Sequence, residues 1–326
     1  MGAISSKSSP LHHKTPLIHS IPMSEELGIP VYLKMDALQP PGSFKLRGMG
    51  LACQRAKDRG AEKLVSSSGG NAGLAVAYAG KQLKLPTVVV VPETTPEFIR
   101  DRLRTYGAEV VVHGKVWAEA NGKAIEIADA TKGVLMHPYE GEDAWEGHGS
   151  LVQEIAEELE TPPGAIIASV GGGGLVLGIL EGLKAVGWLK TVPVIACETV
   201  GADCFSAAVN AGERVTLPGI TSVAKSLGAS QVSETLYERK QNEEIWGEMR
   251  SWVATDAAAV KACVRFANQH RVLVEPACGA ALAAVYEKSP ALEGCKSVVV
   301  EVCGGAIVDM PSLRKLADDC GVDLEA

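Results

Sequence analysis

Residues 165–175 read AIIASVGGGGL, and this stretch decides the fold. The apolar, β-branched run 165–170 is typical of a buried strand, and a segment of helical periodicity follows from Leu175. The four glycines between them leave backbone N–H groups uncovered at the start of a helix, where the helix dipole attracts an anion. Because a tight turn needs only one or two glycines, the sequence favours a phosphate-binding loop here.

The same order, a short β-branched run followed by a helical pattern, recurs along the chain. Strands are predicted at residues 31–35, 63–66, 87–91, 109–112, 165–170, 193–197 and 297–302. Helices are predicted at about residues 46–59, 72–83, 96–106, 116–131, 145–158, 175–186, 256–270 and 278–288. This alternation predicts an α/β fold of parallel sheets flanked by helices, with ligands beyond the carboxyl ends of the strands.

The length of the chain predicts two lobes, because 326 residues are near the practical limit for one core. A run of Gly and Pro at residues 138–149 separates the βα units of the first half from those of the second. We therefore expect a small domain over residues 39–142. Residues 1–38 and 143–326 are expected to form a large domain, with a cleft between the two.

Composition excludes several classes of protein. The chain is 46% hydrophobic and 21% charged, which is typical of a well-packed globular protein. Its formal charge of −8, without a basic run, makes nucleic acid an unexpected partner. No apolar stretch approaches the roughly 18 to 20 residues that span a bilayer. Eight scattered cysteines, without a Cys-x-x-Cys pair or a secretory leader, favour a reduced, cytoplasmic chain.

The first residues carry a different kind of signal. Residues 1–7, MGAISSK, fit the pattern for N-myristoylation at Gly2, which would be a weak and reversible anchor. Residues 1–14 have no apolar periodicity and are predicted to be a flexible tail. His12 and His13 are expected to be solvated, because no further metal ligands lie near them in the sequence.

Two further strand-to-helix junctions contain residues that are suited to catalysis or to ligand binding. In the sequence PGSFKLRG at residues 41–48, Lys45 is flanked by Phe44 and Leu46, and desolvation by these neighbours favours the neutral amine that a Schiff base requires. The sequence SSSGGNAG at residues 66–73 offers hydroxyl, amide and backbone donors that can bind a carboxylate at a helix N-terminus. A simple helix cap with turn glycines remains the alternative for this second junction.

Two residues at strand ends are more ambiguous. Cys303 follows the last strong strand and is either a structural cysteine or a cleft residue. Glu198, just after the predicted strand 193–197, has a cation or ligand role or is simply exposed. A dinucleotide-binding fingerprint would need Gly where Val176 stands, and a P-loop sequence is absent. The phosphate therefore belongs to something other than NAD or ATP.

Taken together, these motifs resemble the fold-type II pyridoxal 5′-phosphate enzymes, whose fold is that of the tryptophan synthase β subunit, and within them the L-serine/L-threonine dehydratase branch. The similarity runs from about Thr15 to Gly305. It rests on SFKLRG at 43–48, SSGGNAG at 67–73, GGGG at 171–174, TSVAKSLG at 221–228, EPACG at 275–279 and CGG at 303–305.

The resemblance implies a role for each matching residue. Lys45 would hold the cofactor covalently and act as the catalytic residue. The remaining cofactor-binding residues would be Phe44 against the ring, Asn71 at the 3′-oxygen, Cys303 at the ring nitrogen, and Gly171, Gly172, Gly173 and Gly174 around the phosphate. The substrate carboxylate would be bound by Ser68, Gly69 and Asn71. A monovalent cation, potassium, would lie near Glu198 with the carbonyl groups of Gly171, Ala202, Leu227 and Ala229.

The implied activity is β-elimination of L-serine, and of L-threonine, to pyruvate or 2-oxobutanoate and ammonia, in a homodimer. Gly69 departs from the family pattern. Serine racemases have a serine at this position to reprotonate the substrate, and many dehydratases have alanine, so Gly69 argues against racemisation and leaves the rate open. The alternatives are a weakly active or inactive cofactor-binding homologue and another β-elimination or β-replacement enzyme of this fold. The glycine loop and the βα alternation, taken by themselves, also suggest a dinucleotide-dependent oxidoreductase.

Overall fold

A computed structural model describes residues 9–325 of the chain. The strands in this part of the chain are β1 (Leu17–His19), β2 (Val31–Lys34), β3 (Lys63–Ser66), β4 (Thr87–Val91), β5 (Glu109–Val112), β6 (Gly133–Leu135), β7 (Ile166–Ser169), β8 (Val194–Thr199), β9 (Met249–Ala254) and β10 (Val298–Glu301). All seven predicted strands are confirmed. The strands β1, β6 and β9 were missed, because none of them has an uninterrupted β-branched run.

The helices in the same range are α1 (Ile21–Leu27), α2 (Lys45–Asp58), α3 (Asn71–Leu83), α4 (Glu97–Thr105), α5 (Trp117–Thr131), α6 (Glu142–Glu158), α7 (Gly174–Ala185), α8 (Cys204–Ala211), α9 (Glu234–Gln241), α10 (Glu243–Trp246), α11 (Asp256–His270), α12 (Pro276–Tyr286) and α13 (Met310–Cys320). The eight predicted helices are confirmed, with ends displaced by a few residues. The helices α1, α8, α9, α10 and α13 were missed. No helix within residues 9–325 combines the length and apolarity needed to cross a membrane.

The strands form two sheets, which confirms the α/β prediction. The larger sheet has the order β1-β2-β10-β7-β8-β9 and is parallel except for β1, which pairs antiparallel with β2. The smaller sheet, β5-β4-β3-β6, is parallel throughout. Its strands all lie within the predicted small domain 39–142, whereas the exact domain boundaries stay a prediction. The Gly/Pro run at 138–149 is only partly a connection, because α6 begins within it.

The central strands and one helix are buried on every side. Every residue of β4 and of β7 is buried, as expected for strands of parallel sheets that are covered on both faces. Helix α12 is also buried throughout. It can lie close to α11 because a Cβ atom on Gly279 would be 2.2 Å from the carbonyl oxygen of Ala259. This close packing places the N-terminus of α12 deep inside the molecule.

The prediction of a flexible tail is wrong for residues 9–14. The side chain of Gln54 donates to the carbonyl oxygen of Ser9 at 2.9 Å, and Gln39 exchanges two hydrogen bonds with the backbone of His13. His12 is largely buried rather than solvated, with Nε2 3.8 Å from Glu154, and burial and the charge of Arg47 lower its pKa to about 4. Hydrogen bonds to backbone groups have no periodic signal in the sequence. Gly2 lies outside the described residues.

A buried ion-pair cluster fixes the first turn of α2. Arg47 is fully buried and donates to both carboxylate oxygens of Asp36 at 2.6 and 2.8 Å. It also donates to both oxygens of Glu154 at 2.7 and 2.8 Å, and Lys34 contacts the same carboxylate at 2.7 Å. The cluster joins β2 and the turn that follows it to α2 and α6. Since Arg47 stands two residues after Lys45, it also sets the position of that lysine.

Replacing Arg47 with Met is expected to lower the free energy of unfolding by about 3–5 kcal/mol, because Asp36 and Glu154 would remain buried without their partner. Urea denaturation followed by circular dichroism measures this change. The matched control is Arg104→Met, whose ion pairs with Glu97 and Asp101 are exposed and whose loss should leave the midpoint unchanged. Equal shifts in the two variants would contradict the stabilising role of the cluster.

Candidate active site

Lys45 is the first residue of α2, and its amine contacts a backbone carbonyl group and an aromatic ring. Its Nζ donates to the carbonyl oxygen of Pro138 at 2.6 Å and lies 5.0 Å from the centre of the Phe44 ring. Burial lowers the pKa of Lys45 to about 8, although the carboxyl group of the nearby Glu275 opposes this shift. The predicted desolvation is therefore confirmed. A useful fraction of this amine is neutral near physiological pH.

The segment before α2 is fastened to the turn that follows β10. The N–H of Phe44 donates to the carbonyl oxygen of Cys303 at 3.1 Å, and Ser43 forms an isolated bridge with Gly304. Gly305 donates to the carbonyl oxygen of Gly42 at 2.8 Å. These contacts bring three of the predicted site residues, Phe44, Lys45 and Cys303, together.

The four glycines after β7 form a loop against which neighbouring residues pack so closely that there is little room for a side chain at these positions. A Cβ atom on Gly172 would lie 2.5 Å from the ring of Tyr139, and one on Gly174 would lie 2.6 Å from the carbonyl oxygen of Tyr139. Gly173 has φ of +107° and would meet Leu236 at 2.6 Å. A Cβ atom on Gly171 would lie 3.2 Å from the Cα atom of Leu227. The loop opens α7, so its N–H groups lie at the N-terminus of a 12-residue helix.

Tyr139 links this loop to Lys45, because it follows Pro138 directly. One short segment therefore provides both the carbonyl oxygen that Lys45 contacts and the ring that lies against Gly172. The indole Nε1 of Trp145 donates to the carbonyl oxygen of Tyr139 at 2.9 Å and holds the segment in place. No pattern in the sequence pointed to Tyr139, since its contact with Gly172 joins residues 33 positions apart.

Asn71 begins α3 and reaches the same region. Its Nδ2 donates to Oε1 of Glu275 at 2.9 Å, and its Oδ1 accepts from the N–H of Ala306 at 2.9 Å. Ser68 lies in the turn just before the helix, where its hydroxyl oxygen accepts from the N–H of Gly70 at 3.3 Å. The turn is tight, because a Cβ atom on Gly73 would lie 1.8 Å from the carbonyl oxygen of Ser68.

Gly69 lies in this turn, close to the loop that follows β4. A Cβ atom at position 69 would lie 2.7 Å from Oγ1 of Thr95 and 3.2 Å from a methyl group of Val91. Thr95 is itself buried. A larger residue at position 69 would therefore require Thr95 to move.

Glu198 lies within β8 and is fully buried, so its predicted place after the strand and the alternative of simple exposure are both wrong. Its two carboxylate oxygens accept from the N–H groups of Phe205 and Ser206, at 2.8 and 2.7 Å, and so cap the first turn of α8. Burial raises the pKa of Glu198 to about 8. The carbonyl oxygen of Gly171 accepts from the thiol of Cys204 nearby.

The predicted cation ligands are mostly carbonyl groups. Within residues 9–325 no group of three or more His, Cys, Asp or Glu side chains has the arrangement of a metal site. The carbonyl-rich potassium site therefore stays a prediction.

Cys303 is buried and keeps its proton. A hydrogen bond with the thiol of Cys278, together with burial and the charge of Glu275, raises the pKa of Cys303 well above its usual value. The thiol of Cys303 is thus expected to stay neutral throughout the physiological range. All eight cysteines of the chain are free thiols, in line with the reduced state predicted from their spacing.

Glu275 was not predicted to belong to the site, although it stands in one of the quoted motifs. It is 2% exposed, contacts Asn71, and influences the pKa values of both Lys45 and Cys303. Burial raises its own pKa to about 7. The available signal was an acidic residue directly before a proline and a wholly apolar helix, where burial of its carboxyl group follows from burial of the helix.

Residues 8–304 match the family of pyridoxal-phosphate dependent enzymes. The chain belongs to this family. It is 47% identical to a human protein named serine dehydratase-like, over 97% of each chain, and 47% identical to human L-serine dehydratase/L-threonine deaminase, over 96% of this chain and 97% of that protein. The crystal structure of a fungal L-serine ammonia-lyase from Rhizomucor miehei aligns with a TM-score of 0.87 and 36% identity, over 95% of this chain and 99% of that one.

These matches confirm the predicted resemblance to the fold-type II pyridoxal-phosphate enzymes. They leave the alternative of a dinucleotide-dependent oxidoreductase without support.

Replacing Gly172 with Ala is expected to weaken binding of pyridoxal phosphate by about 10- to 100-fold, because the added methyl group overlaps the ring of Tyr139 and displaces the loop. Equilibrium dialysis with absorbance detection measures this. Adding Tyr139→Ala to the same chain should restore part of the affinity. Gly122→Ala, at a helical site with no atom within 4 Å, is the matched control. A double variant no better than Gly172→Ala would show that Tyr139 is not the obstacle.

Proposed function

We propose that the chain is an ammonia-lyase that converts L-serine to pyruvate and ammonia, and L-threonine to 2-oxobutanoate and ammonia. The observation that carries this proposal is the Lys45 amine, with its lowered pKa, in one cluster with Asn71 and Cys303. The names of the human and fungal relatives support the same reaction for those proteins.

The residues of the site fit pyridoxal phosphate. Lys45 provides a primary amine whose pKa is lowered to about 8. The glycine loop, which has no room for a Cβ atom on Gly172, Gly173 or Gly174, lies at the N-terminus of α7, where backbone N–H groups can bind a phosphate. The residues that would hold the cofactor are Phe44, Lys45, Asn71, Gly171, Gly172, Gly173, Gly174 and Cys303. When bound, pyridoxal phosphate supplies an electron sink that stabilises negative charge at the α-carbon of an amino acid.

The protein's own groups supply proton transfer and orientation. Neutral Lys45 accepts the α-proton of the substrate at Nζ, and the carbonyl oxygen of Pro138 then accepts a hydrogen bond from the resulting ammonium group. Ser68, Gly69 and Asn71, at the N-terminus of α3, bind the substrate carboxylate. The neutral thiol of Cys303 contributes no formal charge to the site.

Gly69 supports a lyase rather than a racemase. It has no side chain that could return a proton to the substrate from the face opposite Lys45. The space that such a side chain would need is next to Oγ1 of Thr95, at 2.7 Å from an ideal Cβ atom. Elimination is thus favoured over reprotonation.

Lys45→Ala is expected to lower the release of pyruvate from L-serine by at least about 100-fold, because the proton acceptor is removed. The purified, cofactor-loaded protein is assayed in potassium buffer by coupling pyruvate to lactate dehydrogenase. Lys123→Ala, on the exposed face of α5, is the control and should retain full activity. A yellow wild-type protein that releases no pyruvate would favour the inactive homologue or another elimination or replacement reaction.

A potassium ion bound by Gly171, Glu198, Ala202, Leu227 and Ala229 is part of the proposal. Glu198 provides a buried carboxylate, and Gly171 connects the site to the glycine loop. Wild-type activity should be higher in potassium chloride than in tetramethylammonium chloride at the same ionic strength, since the larger ion cannot enter a protein site. The same initial rates in both salts would contradict the ion site.

The resemblance to the dehydratase branch also supports a homodimer in the cytoplasm. The division into a small domain of residues 39–142 and a large domain of residues 1–38 and 143–326 belongs to the same proposal. It is supported by the segregation of the strands into two sheets. N-myristoylation at Gly2 remains a prediction from the sequence.

A further inference from the structure

Glu275 is a buried acid for which the chemistry above provides no role. It stands at the N-cap position of α12, yet its carboxylate accepts no capping hydrogen bond from that helix. Its backbone N–H donates to the carbonyl oxygen of Gly304 at 3.3 Å, which anchors it beside the turn that follows Cys303. The side chain therefore points away from its own helix and into the site.

The turn after Cys303 is shaped around this carboxyl group. A Cβ atom on Gly305 would lie about 2 Å from the Glu275 carboxyl, at 2.1 Å from Oε2, and Gly305 has φ of +120°. Only glycine accommodates both that backbone angle and the carboxyl group. Hydrogen bonds from the hydroxyl of Ser226 and the backbone N–H of Ile307 to this carboxyl group oppose the rise in its pKa.

The contacts of Glu275 determine the orientation of the Asn71 amide. Nδ2 of Asn71 donates to Oε1 of Glu275, while Oδ1 accepts from the N–H of Ala306, both at 2.9 Å. If the amide were rotated by 180°, two oxygens would face each other at one end and two N–H groups at the other. The second N–H of Asn71 has only a long contact, 3.4 Å to the hydroxyl of Ser226, and is thus available to a ligand.

We propose that Glu275 is a positioning residue whose carboxylate fixes the orientation of the Asn71 amide. In this orientation one N–H of the amide is free to bind the oxygen of the cofactor or the substrate carboxylate. This inference rests on the proposed function. A carboxylate holds the amide in place more strongly than a hydroxyl group would, because a hydrogen bond to a charged acceptor is stronger than one to a neutral acceptor. Lys45 lies close enough to Glu275 to influence its pKa and favours the charged carboxylate.

The test compares three variants of the full chain loaded with pyridoxal phosphate. Glu275→Ala removes the acceptor and is expected to weaken cofactor binding by about 10- to 100-fold and to shift the absorbance and fluorescence of the bound cofactor. Glu275→Gln keeps an oxygen that can accept from Asn71, so its affinity should remain within about threefold of wild type. Glu275→Asp, which is one methylene shorter, should fall between the two and serves if the alanine variant does not fold.

A double-mutant cycle separates positioning from general support. In an Asn71→Ala background, Glu275→Ala should not weaken cofactor binding further, because the group that it orients is already absent. Glu287→Gln, at the exposed end of α12, is the control and should change neither affinity nor spectrum. The thermal midpoint of each cofactor-free variant is measured in parallel.

A lower thermal midpoint in Glu275→Ala, with the cofactor affinity and spectrum of the wild type, would overturn the inference and leave Glu275 a structural residue. Additive losses in the double-mutant cycle would overturn it as well. If the wild-type protein bound no pyridoxal phosphate, the proposed function would fail together with the inference. A normal wild-type spectrum that Glu275→Ala leaves unchanged would overturn the inference alone.

Discussion

The buried guanidinium of Arg47 is the interaction on which the site depends. It pairs with Asp36 and Glu154, and Lys34 adds a second positive charge to the cluster. Burial and the charge of Asp36 raise the pKa of the neighbouring Glu301 well above its usual value, so Glu301 stays neutral. Two positive and two negative charges thus remain, which makes burial of the cluster tolerable. Because the cluster spans β2, α2 and α6, it sets the rotation of the helix that begins with Lys45.

Close packing of α2 against α6 follows from the same constraint. A Cβ atom on Gly48 would lie 2.4 Å from Nε2 of His148, and one on Gly147 would lie 2.4 Å from the carbonyl oxygen of Arg47. The imidazole of His148 in turn contacts the ring of Phe44, with their centres 5.0 Å apart. The motif at residues 43–48 therefore has two halves: Phe44 and Lys45 face the site, whereas Arg47 and Gly48 hold the helix in place.

Burial determines the charge of the groups that face the site. It lowers the pKa of Lys45 to about 8 and raises that of Glu275 to about 7. Cys303 is shifted further, by its hydrogen bond with Cys278 as well as by burial, and stays a neutral thiol. A base transfers protons most effectively at physiological pH when its pKa lies near that pH. The same desolvation that makes these groups costly to bury therefore makes them suitable for the chemistry.

Local sequence patterns predicted those parts of the molecule whose structure depends on residues that are near one another in the chain. The β-branched runs marked the central strands, and the glycines after β7 marked a loop that is narrow because Tyr139 and Leu236 lie against it. What the sequence could not reveal depends on distant partners. The edge strand β9 has a mixed pattern, and residues 9–14 are held by side chains from α2 and from the turn before it.

The contact between Glu275 and Asn71 could not be predicted from the sequence. Their hydrogen bond joins residues 204 positions apart in the chain. Asn71 follows β3 of the smaller sheet, whereas Glu275 lies between the helices α11 and α12. No local pattern in either segment shows which side chains will meet. That depends on the packing of α12, whose burial turns an acidic residue before a proline into a partner for an amide on α3.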